Sequence, residues 1–342
     1  MAIKFIEESK TFKLDSKTSS YIFRVFEGEY LVHYYYGANI PDTDVDELRE
    51  RADFASFCPD SPSARVFNFS PDITPFEYST FGAGDFRLSA FAVENPQGDK
   101  ITDLRYVSHN IYKGKKPIPD MPSTYVNSDH EADTLEVLTE DKITGVLVTL
   151  IYTVFNDYGV ITRRVKVENK TDKPFYIDTI HSACVDLPGM EYDMLDLYGK
   201  WGKERSMDRH PIHRGIQSIK SKRGSSSHNH NPFTALISKN ATEDYGDCYG
   251  FNLVYSSNFS IDVEVDGSAC TRLVMGINPE GFKWYLEPDE EFCSPEAVMV
   301  FTNQGLGEMS RIFHRFYSNN LIRGKWKKAK RPLLQITGKE RE

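Results

Sequence analysis

Apolar and polar residues alternate with a period of two along much of this chain. In ITRRVKVEN, Ile161, Arg163, Val165 and Val167 fall on one side of an extended segment, which is the spacing of a half-buried antiparallel strand. Runs of strand character, bounded by Gly, Pro, Asn and Asp, recur at 21–25, 30–36, 90–93, 145–155, 160–168, 175–185, 233–237, 249–254, 260–265 and 297–301. One stretch keeps a different period. Over 305–323, Leu306, Met309, Ile312, Phe313, Phe316 and Tyr317 recur every three or four residues and draw a single apolar stripe on a helix. The pattern predicts an all-β protein, a large antiparallel sandwich followed by a C-terminal helix. It excludes a barrel of eight βα units, which needs about 250 residues, because no stretch supplies even one such unit.

Composition adds bounds rather than identity. The 342 residues suffice for one large β domain or two ordinary ones, and 19 Tyr with 22 Phe favour strands, where rings pack on a pleated face. The connections at 39–63, 112–131 and 191–227 are rich in Pro, Gly or charge, and loops of that length are often functional and more mobile than strands. No window approaches the roughly 20 apolar residues of a membrane span. The opening MAIKFIEESKTFKLD interrupts its apolar residues with charges, so it is no secretory leader and a cytoplasmic location is expected. Cys58, Cys184, Cys248, Cys270 and Cys293 lack CxxC spacing and are expected to be reduced and mostly buried, without metal or redox duty. A net charge of −9 disfavours nucleic acid, and the basic KWKKAKR at 325–331 reads as a solvated linker. No cofactor is expected, since Gly82-x-Gly84 lacks the third glycine and following helix of a dinucleotide fingerprint.

Three polar constellations stand out. KRGSSSHNHNPF, at 222–233, delivers Ser227, His228, Asn229, His230 and Asn231 to one place. His228 and His230 have no third and fourth ligand nearby in sequence, so the loop either satisfies its own backbone or faces a sugar-binding cleft or an adjoining domain. Residues 51–87 carry Asp53, Arg65, Glu77, Asp85 and Arg87 among aromatics, the residue types that sugar sites combine. Asp85 and Arg87 are expected to form an internal salt bridge. Trp201, flanked by Lys200, Lys203, Glu204 and Arg205, either stacks on a sugar ring or packs between domains. Trp284 reads as core or sheet surface, and Glu280 and Glu287 around it do not define an acid/base pair.

KRGSSSHNHNPF, MGINPEGFKWYLEP at 275–288, FGAGDFR at 81–87, DLYGKWGKER at 196–205 and SPEAVMVFTNQGLGEMSRIFHRFY at 294–317 together resemble the N-terminal region of α-galactosidases of glycoside hydrolase family 36. The resemblance extends over about 1–332. It implies a β-supersandwich of two stacked antiparallel sheets over 1–303, a helix and linker over 304–332 leading toward a catalytic barrel, and a divergent polar tail over 333–342. QITGKERE at the end reads as a truncation or an altered reading frame. The resemblance also implies retaining hydrolysis of terminal α-galactosyl groups of oligosaccharides such as melibiose and raffinose, with two carboxylates about 5–5.5 Å apart. In the family both are aspartates of the barrel, so no catalytic residue is assigned here and the chain alone is expected to be inactive. Asp53 and Arg65 match positions that reach substrate across a subunit boundary of a tetramer, with a structural ion pair as the alternative. The substrate-binding set is then Asp53, Arg65, Trp201, His228 and Asn231, with no metal. The expected partners are an α-galactoside, the barrel and like subunits. Two other readings stay open: a stand-alone carbohydrate-binding module built on Asp53, Arg65, Trp201 and the 227–231 loop, and an enzyme resembling aldose mutarotases that uses His109 or His181 with Glu264.

Overall fold

The computed structural model describes residues 2–42, 45–48, 69–118 and 121–328. The first four strands, β1 (Ile3–Ile6), β2 (Thr11–Asp15), β3 (Ser20–Phe26) and β4 (Tyr30–Gly37), form a four-stranded meander. There follow β5 (Phe91–Glu94), β6 (Leu104–Lys113), β7 (Ala132–Asp141), β8 (Val146–Phe155), β9 (Val160–Asn169), β10 (Phe175–Leu187), β11 (Tyr192–Lys200) and β12 (Lys203–Pro211). The remaining strands are β13 (Gly215–Lys220), β14 (His230–Ser238), β15 (Cys248–Val254), β16 (Phe259–Val265), β17 (Thr271–Ile277), β18 (Trp284–Leu286), β19 (Glu291–Cys293) and β20 (Glu296–Thr302). The single α-helix of the described residues is α1 (Gly305–Asn320), three residues shorter than its apolar stripe suggests.

A ten-stranded antiparallel sheet runs β12-β11-β14-β15-β20-β9-β8-β7-β6, with β19 beside β9. A six-stranded sheet, β13-β16-β17-β10-β18 with β5 beside β10, stacks on it, and the main core lies between them and the β1–β4 meander. This is the expected stacked antiparallel architecture. In β9 the predicted face is the inner one: Ile161, Arg163, Val165 and Val167 are all buried. The outer face of the large sheet is covered by α1, whose Met309, Ile312, Phe313 and Phe316 pack on Phe155, Ala235, Val298 and Val300. Gly250 on β15 makes room for it, since a Cβ there would sit 2.7 Å from the Phe313 ring and 2.8 Å from the Met309 sulfur.

The connection read at 191–227 is corrected by the structure, because it contains β11, β12 and β13. β12 is an edge strand, mostly exposed, so its sequence KERSMDRHP has no apolar alternation to announce it. β17 escaped for the opposite reason: TRLVMGI is buried on both faces and reads as an unpatterned run. Cys184, Cys248 and Cys270 are buried and Cys293 partly so, all as free thiols; Cys58 lies outside the described residues. No helix among those residues is long and apolar enough to cross a membrane.

Two ionic networks lie inside the sandwich. Arg163 ion-pairs with Glu77 at 3.0 Å and donates to the Tyr21 hydroxyl (2.8 Å) and the Cys184 carbonyl (2.6 Å). Tyr21 and Tyr152 donate to the same carboxylate at 2.7 and 2.6 Å, and His33 Nδ1 lies 3.1 Å from its other oxygen. Burial opposes the Glu77 charge, but Arg163 and His33 outweigh it and hold the carboxyl below its ordinary range. The expected Asp85–Arg87 bridge is present at 2.9 Å and belongs to a larger cluster, in which Arg272 binds Asp85 (2.7 Å) and Asp186 (2.8 Å).

Candidate functional site

Antiparallel pairing brings two of the sequence constellations together. β11 and β12 form a hairpin that closes on Trp201 and Gly202 between the paired Lys200 and Lys203. Gly202 takes φ +76°, a conformation that costs glycine little, and its N–H donates to Glu204 Oε1 at 2.9 Å. The indole of Trp201 at this tip is 90% exposed. Alongside runs the Ser-rich loop before β14, where the Gly199 N–H donates to the Asn229 carbonyl at 3.1 Å. The Asn229 backbone N–H in turn donates to the Ser227 hydroxyl oxygen at 3.3 Å. The approach at Gly199 is so close that a Cβ would lie 2.5 Å from the Lys203 carbonyl oxygen and 3.0 Å from that of His228. Tip and loop therefore form one rigid unit.

The predicted residues separate on this unit. Trp201 and His228 are exposed at its end, whereas Asn231 faces the other way. Asn231 lines a groove of about 790 Å³ between α1 and the outer faces of β11, β12, β14 and β15, and its Oδ1 is buried without a hydrogen-bond partner. Asp53 and Arg65 lie outside the described residues. Among those residues no group of three or more His, Cys, Asp or Glu is arranged to hold a metal ion. Trp284 sits at the end of the smaller sheet against Phe292, with ring centroids 5.0 Å apart, and Glu280 is held by Lys220 and Lys222.

The structure does not assemble the mutarotase-like pairing. His181 is buried, with Nε2 3.2 Å from Ser260 Oγ, while Glu264 accepts a hydrogen bond from the Leu88 N–H at 2.6 Å. Four residues of β16 separate Ser260 from Glu264, about 13 Å at roughly 3.3 Å per residue. His109 belongs to the other sheet and packs its ring on Phe5 and Phe12.

One feature escaped the sequence reading. Asp196 on β11 stands directly across from Asp208 on β12 and is only 5% exposed. Burial raises its carboxyl above the ordinary range, with His230, Asp208 and His210 as the neighbouring charges. Nothing in the local sequence marks Asp196, because the opposed carboxylate arrives through a register that the polar β12 conceals.

Comparison with known proteins places this geometry in a family. Residues 29–287 match the glycosyl hydrolase family 36 N-terminal domain and residues 291–339 match Melibiase. The chain is 41% identical to alpha-galactosidase AgaA of Geobacillus stearothermophilus over 98% of its own length and 46% of that protein's. It is 36% identical to alpha-galactosidase Mel36A of Lactobacillus acidophilus over 97% of its length and 45% of that protein's. The crystal structure of alpha-galactosidase AgaB from Geobacillus stearothermophilus superposes with a TM-score of 0.92 at 42% identity, covering 97% of this chain and 45% of that one. Substituted forms of AgaA have been solved with raffinose and with stachyose. The chain thus spans about half the length of these relatives, and through its matched fold and sequence it belongs to the glycosyl hydrolase family 36 N-terminal domain family.

Proposed function

We propose that this chain serves as the non-catalytic N-terminal half of an α-galactosidase that removes terminal α-galactosyl groups from oligosaccharides such as melibiose and raffinose. In this reading the sandwich (1–303) shapes the rim of the substrate site and helps to build a cytoplasmic homo-oligomer. The helix and linker (304–332) lead to a barrel carrying both hydrolytic aspartates. Asp53, Arg65, Trp201 and His228 form the substrate-facing set, while Asn231 lines the groove behind the hairpin. The carrying observation is Trp201, a large indole left 90% exposed at the end of a hairpin braced by the Gly199 contact. An aromatic face presented to water suits the C–H face of a pyranose, and amides and imidazoles beside it suit its hydroxyls.

The test joins this chain, in place of the matching first half of Geobacillus stearothermophilus AgaA, to the remainder of that enzyme. The hybrid should hydrolyse raffinose. Asp53→Ala and Arg65→Ala should each lower kcat/KM by about 1.5–3 kcal/mol, the range for lost charged hydrogen bonds. Unchanged kinetics in a correctly assembled hybrid would return both residues to structure. Raffinose binding by the unjoined chain without turnover would favour the stand-alone module.

A further inference from the structure

Two carboxylates oppose each other in the hairpin that ends at Trp201. The antiparallel register sets Asp196 of β11 directly across from Asp208 of β12, and side chains so paired stand about 4.5–5.5 Å apart at Cβ, where like charges are destabilising. Asp208 is exposed to water. Asp196 is 5% exposed, and no described residue donates a hydrogen bond to its carboxylate. The other titratable groups that bear on it are His230 of β14 and His210 of β12. His230 pairs in register with Tyr198 and His210 with Met194, the residues that flank Asp196 on its own side of β11. Each imidazole keeps a buried Nδ1 without a hydrogen-bond partner. Leu195 and Leu197 take the opposite side of the strand and line the groove, so Asp196 gains no solvent from there.

We propose that Asp196 is a positioning residue for Trp201: the β11–β12 hairpin closes tightly while one proton is held between Asp196 and Asp208, and loosens when both carboxylates ionise. The use of Trp201 on substrate rests on the α-galactosidase reading, whereas the hairpin's response to pH stands without it. Transmission is short, because Tyr198 and Lys200 carry β11 from Asp196 to the tip and Lys200 pairs with Lys203 across it. Burial opposes the Asp196 charge most and Asp208 adds to the opposition, so the closed hairpin prefers the neutral acid. Closure is therefore favoured in full below the ordinary value of 3.8, and the advantage is lost as pH rises through the higher value of the closed form.

Amide exchange of the chain alone at pH 4.5 and pH 7.5, corrected for the intrinsic rate at each, tests the closure, with the central strand β8 as internal control. Relative to β8, the amides of 195–210 should exchange at least about threefold faster at pH 7.5. Asp196→Asn, neutral at both values, should hold the slow rate throughout, and Asp208→Asn, at an exposed position, should shrink the difference. A native hairpin indifferent to pH, or a native-sized difference in Asp196→Asn, would overturn the proposal. Should Asp196→Asn fail to fold, an undiminished difference in Asp208→Asn would refute the shared proton. In the AgaA hybrid at pH 7.5, Asp196→Asn should lower KM for raffinose at least about twofold and leave kcat unchanged. Equal KM in a hybrid that hydrolyses raffinose would overturn the positioning of Trp201. A hybrid that fails to hydrolyse raffinose while its hairpin still responds to pH would instead count against the α-galactosidase reading.

Discussion

Replacing Arg163 with methionine leaves the Glu77 carboxylate buried without its cation. In the native chain Arg163 ion-pairs with Glu77 at 3.0 Å and also donates to the Tyr21 hydroxyl and the Cys184 carbonyl. Removing one member of a buried pair costs about 3–5 kcal/mol, and the extra hydrogen bonds place the loss near the upper end, about 4–5 kcal/mol. At about 2.1 cal/mol/K per residue, a chain of 342 residues loses roughly 6–7 °C in Tm for that cost. The pH dependence carries the mechanism. The native Glu77 carboxyl lies below its ordinary range, so its contribution is present above the unfolded value of 4.5 and is lost as pH falls through the lower folded value. Without Arg163, burial pushes that carboxyl up instead, and protonation relieves the variant. The gap between native protein and R163M should therefore be widest near pH 7 and shrink toward pH 4.5. Urea unfolding at both values measures it. A loss under about 1.5 kcal/mol, or a gap independent of pH, would show that Arg163 does not hold the Glu77 charge. A double change with Glu77→Gln should recover part of the stability that Arg163→Met alone removes.

Gly199→Ala should destabilise the hairpin by about 1–3 kcal/mol through the 2.5 Å clash with the Lys203 carbonyl, seen as faster amide exchange confined to 199–204 and 227–230. The native protein should lose stability in acid through Asp186: burial opposes its charge, but Arg272 and Arg87 hold the carboxyl below 3.8, so stability falls as pH drops below that value. Asp186→Asn should flatten that acid limb in a calorimetric pH series. In the AgaA hybrid, Trp201→Ala should lower kcat/KM for raffinose by about 1.5–3 kcal/mol, the scale of one lost aromatic burial, while leaving the Tm unchanged because the indole is exposed.

Much of the fold was legible because sheet burial writes itself into alternation. β9 displayed its inner face plainly, and α1 announced itself through Met309, Ile312, Phe313 and Phe316. Strands without a one-sided environment were hidden. β12 has little buried surface and β17 has little exposed, so neither alternates. The site was legible in part for a related reason. Composition could single out Trp201 and the 227–231 loop, but only antiparallel register shows that Gly199 welds them together and that Asp196 faces Asp208. Asn231 turned out to face the groove rather than the hairpin tip, because neighbouring residues on a strand point to opposite faces. The burial of Arg163 and Arg272 depends on partners 86 residues away in each case, Glu77 and Asp186, which no local pattern announces.

In the proposed role this chain shapes a galactoside site without supplying the carboxylates that cleave the substrate. Incubating the purified 342-residue chain with an aryl α-galactoside is the decisive test. No release above a buffer blank is predicted, because the retaining mechanism needs two carboxylates about 5–5.5 Å apart and in the proposed role both belong to the barrel. Sustained turnover that survives repurification and disappears in Asp196→Asn or Asp208→Asn would contradict it.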